Sequence, residues 1–89
     1  MEFMIPVPEH VRDKDWLSAI KKGFPEVVWS DDHHGIAEIN VGIGSIELAV
    51  EVKGFAAHVT GADNPFVSSI KKVCETRVNM AFTALGMAG

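Results

Sequence analysis

The chain has 89 residues, a formal net charge of −4 and one cysteine. That length supports one core, burying about 60–65% of the surface the unfolded chain exposes, so residues 1–89 are read as a single domain with an extended arm over 1–8. The charge argues against direct nucleic-acid binding, which draws on clustered Lys and Arg, and no basic cluster here exceeds the pairs Lys21-Lys22 and Lys71-Lys72.

Cys74 stands alone, so no intrachain disulfide can form. No apolar run has the length of a membrane span. The first residues lack the basic start of a signal peptide and carry Pro6 and Pro8. A cytoplasmic setting is the expectation.

The prolines bias Met1 to Pro8 toward extended geometry. A short helix is expected from Asp13 to Lys22. Asp13 or a nearby acid caps it, Trp16, Leu17 and Ile20 form its apolar stripe, and Gly23 is its C-terminal stop. The apolar period then changes to two. Strands are expected over about 27–30, 36–41, 46–52 and 55–60, joined by turns at Asp31 to Gly35, Gly42 to Ser45 and Lys53-Gly54.

Pairing across those turns places Trp29 opposite Ala37, Val41 opposite Ile46 and Val52 opposite Phe55. One face then collects Val27, Trp29, Ala37, Ile39, Val41, Ile46, Leu48, Val50, Val52, Phe55, Ala57 and Val59. The other collects Val28, Ser30, Glu38, Asn40, Glu47, Ala49, Glu51, Ala56, His58 and Thr60. All three turns agree on which face is apolar, and a one-residue slip would break that agreement.

Asn64 and Pro65 are good starters for a C-terminal helix that runs to about Leu85, with Gly86 as its stop. The expected fold is α+β: a short helix, a four-stranded antiparallel meander and a long C-terminal helix packed on one face, in the order α-β-β-β-β-α and in two layers. In element order alone this resembles double-stranded-RNA-binding domains, but the basic loop and basic helix start that grip phosphates are missing.

Asp31-Asp32-His33-His34 has metal-ligand residue types but not convergent spacing, so it reads as a solvated turn and no metal or cofactor is expected. Gly42 to Ser45 leads into a strand rather than a helix, unlike a phosphate loop. Ser68 and Ser69 fall in the first turn of the C-terminal helix, a common structural place for serine, and Cys74 falls on that helix's apolar face as an inert core thiol, so no nucleophile stands out.

Two surfaces remain as partner sites. The open sheet face carries Glu38, Glu47, Glu51 and His58 around small alanines, and suits a basic partner. The C-terminal helix has an apolar arc of about 220°, wider than one sheet face requires. That excess offers Arg77, Met80, Phe82 and Met87 to a second chain, and self-association into a homodimer covers it most simply.

The expected function is a small non-enzymatic protein-binding module: an inhibitor, an adaptor or an assembly subunit. A virus-encoded inhibitor of a host nucleic-acid machine fits, because such targets are basic. The alternative is a small enzyme or ligand-binding domain that uses His58 and the open-face glutamates, with or without a metal.

Overall fold

The computed structural model describes residues 1–40 and 44–88, with the side chain of Ala88 left out. Five strands and two helices follow in the order β1 Glu2–Pro6, α1 Trp16–Gly23, β2 Val27–Trp29, β3 His34–Asn40, β4 Ser45–Val52, β5 Ala56–Gly61 and α2 Val67–Ala88. A single turn of 3-10 helix, Glu9–Val11, joins β1 to α1. The sheet is antiparallel throughout, with strand order β1-β5-β4-β3-β2.

The expected arm is therefore a strand. β1 pairs with the last strand of the meander, Met4 facing His58 and Ile5 facing Ala57. Its sequence alternates: Phe3 and Ile5 are buried, while Glu2, Met4 and Pro6 are outside. Pro6 sits at the strand's end, where its missing N–H costs no central ladder bond.

The meander keeps its faces but not its register. Ala37 faces Val27 rather than Trp29, Ile46 faces Ile39, and Val52 faces Ala57 rather than Phe55. Each shift is two residues, which returns every side chain to the same face. Val41, expected opposite Ile46, lies outside the described residues. Val27, Ala37, Leu48, Val50, Val52, Ala57 and Val59 are all buried in the core as expected.

Phe55 is the exception. It is a central residue of the β4–β5 turn, closed by Lys53 N–H donating to Ala56 O at 3.0 Å. Gly54 precedes it with φ 61°, as a II′ hairpin turn requires at its first central position. Phe55 instead meets Trp16 edge-on, with ring centroids 5.8 Å apart, and lies under the Arg12 guanidinium at 4.7 Å.

Asp15 caps α1, accepting from Ser18 N at 3.3 Å and from Ser18 Oγ at 2.7 Å. These bonds hold its carboxyl below the ordinary carboxylate value. Gly23 is the last helical residue and not a left-handed stop. A Cβ there would lie 2.9 Å from the Val78 Cα of α2. The glycine allows the two helices to touch, and α2 packs against α1.

Gly86 does not end α2, which continues to Ala88. The buried residues of α2 are Ile70, Cys74, Val78 and Phe82, a spacing of four throughout. At about 100° per residue such a stripe advances by roughly 40° per step, so the helix crosses its support obliquely. One continuous cluster joins the inner faces of the sheet, Val11, Ile20, Phe24 and this stripe.

Candidate functional site

The outer face of the sheet is built by strand alternation, and the register fixes its rows. One row runs Met4, His58, Glu51, His34 across β1, β5, β4 and β3. The next runs Glu2, Thr60, Ala49, Ile36, Val28. A third sets Glu47 directly opposite Glu38. Like charges at that spacing repel, and Ser45 Oγ steadies the pair by donating to Glu38 Oε1 at 2.8 Å.

The four outward glutamates are Glu2, Glu38, Glu47 and Glu51, and no outward strand position in the described residues carries Lys or Arg. The chain has 12 acids and 8 Lys plus Arg. The other eight acids are thus matched in number by the basic residues. The whole formal charge of −4 is carried by this one face.

The face is not uniformly polar. Met4, Val28 and Ile36 are half exposed or more. Ile36 and Ala49 line a shallow depression of ≈ 290 Å³ that His34, Glu51 and His58 also border.

His34 opens β3 and lies two strand steps from His58, about 9.5 Å at ordinary strand spacing. Its ring already has partners: Nδ1 lies 3.0 Å from Asp31 Oδ1, and Nε2 lies 3.9 Å from Glu51 Oε2. Asp31 Oδ1 also accepts from the backbone N–H of His33 at 2.7 Å and of His34 at 2.8 Å. These bonds, the His33 N–H first, lower the Asp31 pKa and make Asp31 the organiser of the turn. Among the described residues no three His, Cys, Asp or Glu side chains are grouped to hold a metal ion.

The second expected surface divides in two. Phe82 is 2% exposed and belongs to the core, because the fourfold spacing carries it under the helix. It is not available to a partner. Met80 and Met87, 68% and 78% exposed, do face outward, as does Val73. These three repeat every seven residues and share one narrow line along α2. No described helix is long and apolar enough to cross a membrane.

Arg77 lies elsewhere, pairing through Nη1 with Glu26 Oε1. Burial is the largest single influence on Glu26 and opposes its charge, but the Arg77 hydrogen bond, a backbone hydrogen bond and the Arg77 charge together outweigh it and leave the carboxyl below its ordinary value. The pair borders an apolar cleft of ≈ 240 Å³ between the N-terminal half of α2 and strands β3 and β4. Sequence periodicity placed the walls of this cleft on apolar faces but gave no sign that the two faces would stand apart there. Cys74 is in that wall, and burial pushes its thiol up to about 11. Compared with family models, with curated proteins and with solved structures, the chain finds no match in any of the three.

Proposed function

We propose that the protein is a non-enzymatic, cytoplasmic protein-binding module whose outer sheet face docks a basic surface of another protein. The observation that supports this most is the charge placement. The four glutamates that account for the net charge share one face, interleaved with exposed Met4, Val28 and Ile36. A field of one sign steers an oppositely charged partner, and apolar side chains between the charges gain contact area once it has arrived. Glu38, Glu47, Glu51 and His58 are the partner-contacting residues in this reading. Basic surfaces are the ones that grip phosphates, so a bound module of this kind would act as an inhibitor of a nucleic-acid-binding protein.

The test is capture from cell extract by immobilised wild-type protein and by Glu38→Lys and Glu47→Lys. A partner held by the wild type, lost from both variants and released by moderate salt is the expected result. Capture that ignores both substitutions would refute it.

A second interface is supported by the seven-residue repeat of Val73, Met80 and Met87. In this reading two copies pair along α2 as a homodimer, because a shared apolar line at that spacing suits helix–helix contact. Sedimentation decides it: wild-type protein is expected to dimerise and Met80→Glu to remain monomeric. A wild-type monomer at high concentration rules the dimer out.

A further inference from the structure

The cleft between α2 and the sheet has walls of one kind and a mouth of another. Leu48, Val50, Ile70 and Cys74 line its interior, and Phe66 and Val73 flank it. At the mouth stands the Arg77 guanidinium, about half exposed. Its Nη1 donates to Glu26. Among the described residues no hydrogen bond engages its Nε or Nη2. A guanidinium edge with two parallel N–H groups matches the two oxygens of a carboxylate.

We propose that this cleft is a binding site for a medium-chain aliphatic carboxylate, its chain among the apolar side chains and its head on the free edge of Arg77. The size agrees. A volume of ≈ 240 Å³ holds about eight groups of the size of water or methylene, at about 30 Å³ each. Apolar walls with a few placed polar groups are the usual composition of a small-ligand site. Glu26 tunes the site against the ligand, since its carboxylate competes for the same guanidinium and repels a second anion. The site lies on the helical layer, opposite the acidic face, and is independent of the docking reading.

Octanoate, octanol and acetate are the probes, titrated into the 89-residue protein and followed by methyl and amide NMR shifts. Octanoate is expected to shift Val50, Ile70 and Val73 and to bind about tenfold more tightly than octanol, while acetate leaves these signals unmoved. Arg77→Gln is expected to reduce octanoate to the octanol level. Glu26→Gln is expected to strengthen octanoate several-fold, and neither change should alter octanol. Equal binding of octanoate and octanol by the wild type overturns the proposal, as does no shift at millimolar ligand or shifts confined to Met80 and Met87. The comparison of the two ligands on the wild type needs no variant, so it stands even if a substitution impairs folding.

Discussion

Two glycines show how one residue type is used for unlike reasons. Gly54 is needed for its conformation: at φ 61° a side chain is strained, and Gly54→Ala is expected to cost about 1–2 kcal/mol. Gly23 is needed for its size, because a methyl there meets the Val78 Cα at 2.9 Å. Gly23→Ala should therefore cost about 1–3 kcal/mol as overpacking, although alanine is the better helix former. Urea melts of the two variants check both, and a neutral or stabilising Gly23→Ala would show that the helices separate freely. Cys74 gives a test by pH. Its thiol is raised from the ordinary 9.0 to about 11 by burial, so its contribution to stability is complete below about pH 9 and lost as pH rises through the folded value. Native protein at pH 8 is expected to react slowly with a thiol reagent and quickly in denaturant. Between pH 9 and 11 the wild type should lose more stability than Cys74→Ala.

At the scale of elements, alternation fixed the faces and left the register open. A shift of two residues changes no face, so Val27, Leu48, Val50 and Val59 were legible as core while their partners were not. The β4–β5 register depended on whether Gly54 is the second or the first central residue of its turn, a choice that local sequence does not force. β1 was hidden because Pro6 and Pro8 suggest a loop, whereas Phe3 and Ile5 already alternate with Glu2 and Met4. On α2, the wheel found the apolar residues but averaged over the 40° advance that places Phe82 inside and Met80 outside. The open-face glutamates were legible from strand parity alone, and the cleft was not, since it arises from how far two apolar faces stand apart. Truncation separates these placements. Phe82→Ala is expected to cost about 3–5 kcal/mol, and Ile5→Ala about 2–5 kcal/mol if β1 is integral to the sheet. At monomer concentrations Met80→Ala should stay within about 0.5 kcal/mol. Chemical denaturation measures all three, and an Ile5→Ala variant as stable as the wild type would mean that β1 is dispensable.

For the molecule as a whole, the proposed docking role sets stability and binding against each other through the separation of charge. The helical layer and loops are balanced, while the outer sheet face carries the entire −4. Glu47 and Glu38 are directly opposed on neighbouring strands, a pairing that costs roughly 0.2–1 kcal/mol relative to neutral residues. Ser45 offsets part of that cost for Glu38, but no hydrogen bond or ion pair engages Glu47 among the described residues. Glu47→Gln keeps the shape and removes one charge. It is expected to stabilise the fold by a few tenths of a kcal/mol to about 1 kcal/mol in low salt, with the gain shrinking as salt screens the repulsion. The same substitution should slow association with the proposed basic partner and weaken that complex, because it removes part of the steering field. Urea melts at two ionic strengths give the first quantity, and stopped-flow or surface-based kinetics with the captured partner give the second. A structural role for the face predicts that both quantities move together. A docking role predicts opposite signs, since only a binding function gives a reason to hold two glutamates against each other at the expense of stability.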